Sequence, residues 1–446
     1  MKRTAAAVLA LCLAVLLLGG CGREALRMEL VSRPPSSVAT AETTGAGTSA
    51  AEQQTTARTT KKSTAAPTAA APATTRAPAT TTQPIEQPVT SYSAPTSAPP
   101  TQIQEEEAVA AGLTPVAVGD YYGRTQLEAA GKPAMLTAYL RIASAAERLE
   151  EQVDLGDLGL SIEEVRQVYA YYEADFPQHF WRDIGYSVQY LETNRMVTDL
   201  TMTYTMNEEQ RTAAKAAVQQ QAQQLLAGIT DSMKPYEREK TIHDRLVQAV
   251  EYDVTQSQAD IHNLYGALVR GVAVCDGYSH AFQYLLRQAG IPCLFVTGDS
   301  AGQAHAWNMV QIDGDYYYVD VTWDDPVYET LTEKPVFYAY FNITTQQLLQ
   351  DHTLDDSNYP LPSCTEKDAN YFVREGMIVD SFNMPQATAL LLIAKETGIA
   401  RVYVEGSMML FQAELNANWS EVARRTDVYD DVQLLTVGQE LVLLID

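Results

Sequence analysis

Apolar and polar positions begin to alternate in a structured way at about residue 105, and the pattern runs to the end of the chain. Residues 133–151 and 161–174 repeat apolar side chains three and four apart, the period of a helix with one buried face. Pro133 suits a first helical position, and Ser161 with Glu164 has the spacing of a capping box. Tyr186–Tyr190 and Val197–Met206 alternate every second residue and are rich in Thr, Tyr and Val, which predicts strands. Two helices are expected next, from Asn207 to about Gly228 with a solvated glutamine face, and from Pro235 to about Tyr252. Beyond 366 the pattern reads strand (Tyr371–Val379), helix (Pro385–Glu396), strand (Gly398–Glu405), helix (Met409–Arg424) and strand (Glu440–Ile445). That alternation predicts a small α+β unit, whose role in binding or scaffolding is open.

Residues 262–362 carry the candidate chemistry. After Val274 the pattern becomes helical, with Tyr278, Phe282, Leu285 and Ala289 three or four apart, and Gly290 and Pro292 closing the helix. Cys275 therefore falls in a first helical turn, where free N–H groups and the helix dipole favour a thiolate. A buried apolar cysteine fits that segment equally well. Two strand-like runs, Ala304–Ile312 and Asp315–Trp323, flank Asp313-Gly314, the signature of a two-residue hairpin. With that turn Ile312 faces Asp315, so His305 and Asp320 fall on one face as diagonal neighbours. A three-residue turn would separate them. The other histidines, His179, His243, His262, His280 and His352, read as solvated or satisfied in the core. Trp307 shares the face of His305, either as a groove wall or as hairpin packing. Trp323 and Asn308 point the other way. Asp324-Asp325 reads as a solvated turn before Pro326, and no ligand spacing supports a calcium site there.

A helix-borne Cys followed by a His and an Asp on adjacent strands suits thiol catalysis, with His305 as base and Asp320 steadying the imidazolium. The order also resembles a known family, the bacterial transglutaminase-like proteins, relatives of papain-type thiol enzymes. The resemblance covers about 230–360 and rests on Val274-Cys275-Asp-Gly277-Tyr278, Gly290-Ile-Pro292-Cys293, His305-Ala-Trp307-Asn308 and Val319-Asp320-Val-Thr-Trp323-Asp324. Looser matches at Tyr340-Phe341-Asn342-Ile343 and Asp351-His352 look like its extracellular or cytokinesis-associated branch. The resemblance implies an α+β fold with the nucleophile-bearing helix packed on an antiparallel sheet, and a triad of Cys275, His305 and Asp320. An oxyanion hole would use the backbone N–H of Cys275, with Tyr265 as a candidate side-chain donor.

The amino terminus changes the setting. Lys2 and Arg3 precede an apolar run, Ala5–Leu18, too short to span a bilayer comfortably, and Leu18-Gly19-Gly20-Cys21 resembles a lipoprotein cleavage site. Cys21 is thus the expected lipidation site, which places the mature chain outside the cytoplasm on a bacterial cell membrane. Residues 34–103 are Thr, Ala, Pro and Ser without Leu, Phe, Trp, Met or Cys, too poor in apolar surface to offset chain entropy. The expected organisation is a signal peptide (1–21), a disordered linker (22–104), a helical and β region (105–230), a catalytic core (231–362) and a small α+β domain (363–446).

Charge and cysteine content narrow the partners. The chain of 446 residues has a formal net charge of -25. Residues 1–100 hold nine basic and five acidic side chains, which leaves 22 basic and 51 acidic residues for the body. Such a body repels a phosphate backbone, so no nucleic-acid partner is expected. No zinc or nucleotide motif occurs, and no metal or cofactor is expected. Cys293 and Cys364 are left over in an oxidising compartment and are open to pairing, although Cys293 also reads as a buried strand residue. The expected activity is acyl-cysteine formation from an amide or peptide carbonyl. Hydrolysis would follow, as in a peptidase or amidase, or transfer to an amine, as in a transglutaminase; water needs no acceptor site. Peptide or protein substrates, cell-wall peptides among them, are the expected partners. The alternative is a catalytically silent binding or scaffold module.

Overall fold

The computed structural model describes residues 121–445, apart from 184, 192–193, 259, 301, 328–333, 356–359 and 429–431. Cys21 and the Thr/Ala/Pro-rich segment lie outside the described residues. Among the described residues no helix is long and apolar enough to cross a membrane.

The first part is helical. Helices α1 (Tyr122–Ala129), α2 (Pro133–Arg148) and α3 (Ile162–Asp175) share one apolar core with strands β1 (Gln152–Asp154), β2 (Ser187–Tyr190) and β3 (Val197–Thr201), ordered β1-β3-β2. Pro133 opens α2, and Ser161 and Glu164 cap each other's backbone at the start of α3. The strand expected over Val197–Met206 stops at Thr201. Helices α4 (Glu208–Leu225) and α5 (Pro235–Ala249) follow, the first opened by a capping box of Asn207 and Gln210.

The central layer holds Cys275, His305 and Asp320. Strands β4 (Glu251–Tyr252) and β5 (Val272–Ala273) form a short parallel pair that leads into α6 (Cys275–Gln288). Strands β6 (Cys293–Ser300), β7 (Gln303–Ile312), β8 (Asp315–Val319) and β9 (His352–Leu354) form an antiparallel sheet ordered β8-β7-β6-β9, with the short helix α7 (Thr345–Leu348) before β9. The β7–β8 turn is the two-residue one expected: Ile312 pairs with Asp315, and Asp313 and Gly314 both take positive φ, 53° and 102°. Val310, Ile312, Tyr317 and Val319 share a core with Phe282 and Leu285 of α6 and with Ile242 and Leu246 of α5. Trp307, Met309, Leu294 and Val296 belong to a second core on the opposite side of the sheet.

That second core also takes Leu435, Val437 and Val442 from the C-terminal sheet, so the last segment packs on the central layer. Its sheet, ordered β10-β11-β13-β12, comprises β10 (Ile378–Val379), β11 (Ile399–Val404), β12 (Val432–Val437) and β13 (Glu440–Ile445). Helices α8 (Tyr371–Glu375), α9 (Met384–Thr397) and α10 (Met408–Thr426) complete it. Two expectations need correction. The strand expected over Tyr371–Val379 is mostly helical, because the Asn370 side chain accepts from the N–H groups of Phe372 and Val373 and starts a turn that Gly376 ends. Strand β12 was not foreseen. The class is α+β, with the Cys275 helix on an antiparallel sheet.

Candidate functional site

Cys275 is the first residue of α6, following Val274 in extended conformation. Its close neighbours in the apolar cluster are Ala174 of α3, Phe295 of β6 and Ala306 of β7, and it has no exposed surface (0%). The backbone N–H groups of Ala306 and Asp276 are directed at the sulfur and favour the thiolate. Burial acts in the opposite direction and dominates, helped by the charge of Asp276, so the thiol is pushed well above its ordinary range. The thiolate expected from the helix N-terminus alone is thus a neutral thiol in this closed arrangement.

His305 and Asp320 meet as the hairpin parity required: Nε2 of the ring lies 2.6 Å from Oδ2 of the carboxylate, with the residues 2% and 1% exposed. Strand β8 ends at Val319, so Asp320 begins a turn, and its Oδ1 accepts from the N–H groups of Thr322 and Trp323, both at 3.0 Å. Burial raises the Asp320 pKa, but the charge and hydrogen bond of His305, joined by those of His352, outweigh it and hold the carboxyl well below the carboxylate range. Nδ1 of His305 is buried and has no hydrogen-bond partner, so no bond joins it to the sulfur. The sulfur nevertheless sits against the amide of the very next residue. Free enzymes often hold such pairs loosely and tighten them when substrate binds.

Other singled-out residues fall differently. Trp307 is fully buried, its ring 5.7 Å from His305 and inclined to it by 30°, so it offers no groove surface here. Tyr265 stacks on Phe180 at 5.5 Å, with Arg270 over its ring. Asn308 ties β7 to α6 and β6 through the carbonyls of Ser279 and Leu294. Trp323 does not point away: its ring lies 6.0 Å from His305, because strand parity ceases at Val319. The Asp324-Asp325 pair is no solvated turn. Asp324 meets Nε2 of His243 at 3.2 Å and accepts from the Tyr340 amide, and Asp325 accepts from Tyr278 and Lys334. Cys293 and Cys364 are both buried and free, in different cores, so the disulfide considered from sequence is absent.

Two features escaped the sequence. His262 binds Asp276, the neighbour of Cys275, at 2.8 Å. His352 reaches the same oxygen of Asp320 as His305, at 3.2 Å. One ring nitrogen of each histidine and one oxygen of Asp320 lie within 4.8 Å of one another, but the hydrogen bonds already account for the cluster.

Of the groups packed against the thiol, Ala174 is the one from the N-terminal helices. The last carbonyls of α3 have no partners within their own helix, and α6 supplies them. Nε2 of Gln283 donates to the Ala174 carbonyl at 2.8 Å, and Arg287 donates to the Asp175 carbonyl at 2.7 Å. A crevice lined by Tyr122, Gly123, Ala174, Asp175, Leu294 and Phe295 lies beside this junction and is too narrow for water.

Comparison with known proteins gives the site a family context. Residues 219–321 match the transglutaminase-like superfamily. The chain is 31% identical over 143 residues to the human kyphoscoliosis peptidase and 32% to the mouse protein, covering 28% of this chain and 22% of each relative. It therefore spans about a fifth of the length of those curated relatives. Among solved structures it is similar to a TGase (16% identity, 33% of this chain and 46% of that one, TM-score 0.23). The periplasmic domain of TgpA from Pseudomonas aeruginosa is another (14% identity, 31% and 62%, TM-score 0.18).

Proposed function

Since residues 219–321 form a transglutaminase-like domain, we propose that the chain is a thiol enzyme of the papain-like kind, tethered through a lipid on Cys21 to the outside of a bacterial cell membrane. In this reading Nδ1 of His305 takes the proton of Cys275, and the sulfur attacks an amide or peptide carbonyl. The tetrahedral oxyanion is stabilised by the Cys275 N–H. Its collapse expels an amine protonated by His305, leaving an acyl-cysteine. Water then releases an acid, or a second amine forms a new amide. Asp320 keeps the Nε2–H of His305 engaged throughout, so Nδ1 remains the nitrogen that exchanges protons. One observation carries the reading: a buried imidazole with one nitrogen held by a buried carboxylate and the other left without a partner, one residue from the amide that touches the sulfur.

A second reading, a catalytically silent binding or scaffold module, is favoured by the complete burial of Cys275. The enzyme reading requires the Ala174 segment to move aside before substrate enters. Mass spectrometry of the purified chain incubated with wall peptides, with and without an added primary amine, separates the cases. Cleaved peptide indicates a hydrolase, incorporated amine a transglutaminase, and unchanged peptide together with an unmodified Cys275 the silent module.

A further inference from the structure

An acid that serves one imidazole needs one imidazole partner; Asp320 has two. Its four hydrogen bonds divide evenly, with the N–H groups of Thr322 and Trp323 on Oδ1 and the rings of His305 (2.6 Å) and His352 (3.2 Å) on Oδ2. The other nitrogen of His352, Nδ1, meets Oδ1 of Asp351 at 2.6 Å, and the second oxygen of Asp351 accepts from the Tyr340 hydroxyl at 2.6 Å. Both ring nitrogens of His352 therefore face carboxylates, which only the doubly protonated ring can satisfy. Aromatic rings surround it, tilted or edge-on to its plane, with Trp323 at 4.7 Å, Trp307 at 5.0 Å and Tyr340 at 5.5 Å between ring centres. The titratable groups facing it are Asp351 beside it in the chain, Asp320 after β8, His305 on β7 and Tyr340. Burial would discharge His352, but the bonds to Asp320 and Asp351 outweigh it and push its pKa up to about 9.

We propose that His352 is a positioning residue: it clamps the carboxylate of Asp320 so that the acid holds His305 with Nδ1 free for the thiol proton. This rests on the thiol-enzyme reading above. The approach of β9 that permits the clamp depends on Gly298, where an added Cβ would lie 1.9 Å from the Thr353 carbonyl oxygen and 2.6 Å from the Trp307 ring. Sequence pattern could not reveal the clamp, because β9 joins the sheet at β6, on the far side of β7 from Asp320.

The test compares the full chain with His352→Leu, which removes the donor, and His352→Gln, whose amide restores one near Nε2. Two readouts are used: the rate at which p-nitrophenyl acetate acylates Cys275 across pH 6 to 10, and the downfield proton NMR signal of the His305–Asp320 hydrogen bond. Because a misplacement of about 1 Å costs on the order of 10²-fold, His352→Leu should slow acylation about 10- to 100-fold. The Gln variant should recover most of that loss. It should also lack the fall in rate that accompanies deprotonation of His352 near pH 9 in the parent. The downfield signal should shift or broaden in the Leu variant and return in the Gln variant. Equal rates, pH profiles and signals in all three proteins overturn the proposal, as does an equal loss in both variants. If the parent is not acylated at all, the thiol-enzyme reading fails, and the NMR signal still decides the clamp.

Discussion

The contact that closes the thiol can be loosened at one side chain. Gln283 is fully buried and donates to the Ala174 carbonyl at 2.8 Å and to the Cys293 carbonyl at 3.2 Å. Gln283→Ala leaves the Ala174 carbonyl, in the last turn of α3, without a donor in an apolar setting, a loss of about 1–3 kcal/mol. If that loss falls on the closed state of the Ala174 segment, the opening equilibrium rises about 5- to 150-fold. Iodoacetamide labelling under native conditions measures it, because alkylation tracks the open population when reclosing is fast. Cys364 supplies the internal reference, being buried in the core on the other side of the sheet. The expected result is a rise of about fivefold or more at Cys275 with Cys364 unchanged. An unchanged Cys275 rate would show that the Ala174 segment is not what limits access. A parallel rise at Cys364 would show that the substitution merely destabilises the whole fold. Either result refutes the local-cover argument.

Three further predictions concern stability. Gly298→Ala forces the Thr353 backbone or the Trp307 ring to move, so it should lower Tm by several degrees and loosen β9, read as faster amide exchange at His352–Leu354. Arg401 donates to Glu440 at 3.0 Å while Glu440 accepts from the Tyr338 amide at 2.7 Å; Arg401→Ala should cost roughly 3 kcal/mol in urea unfolding, the low end for a broken buried pair, since the acid can take up a proton. The third is pH dependence. Burial pushes Asp175 up to about 6, Glu440 to about 7 and Glu239 to about 8. In His243 and His352 burial is outweighed by their carboxylate partners, and both are raised to about 9. All five bind protons more tightly folded than unfolded, so their stabilisation is complete below the unfolded values and is lost as pH rises through 6 to 9. Tm should therefore fall steadily between pH 6 and pH 9, and a rise over that interval would contradict the assignments.

Much of the fold was legible because its signals are local. The Asp313-Gly314 turn fixes the β7–β8 register within two residues, and that register brings Asp320 to His305. Capping pairs such as Ser161 with Glu164 mark a helix start by themselves. The failures have identifiable causes. Strand parity carries no information past Val319, where the chain turns, and extending it predicts the wrong side for Trp323. A five-residue helix such as α8 is too short to display its period, and Tyr371, Phe372 and Val373 look like a strand. The charges of Asp324 and Asp325 suggested solvent, whereas His243, Tyr278 and Lys334 satisfy them inside. Burial of the thiol and the arrival of His352 both depend on long-range packing, by α3 in one case and β9 in the other.

Whether the sulfur is a nucleophile is decided most directly by its selective reactivity. The full chain is treated with a peptide chloromethyl ketone, and the modified cysteine is located by mass spectrometry, in parallel with His305→Ala. The account predicts modification of Cys275 well ahead of Cys293 and Cys364, and loss of that preference without His305. Equally slow modification of all three thiols, indifferent to His305, would contradict it.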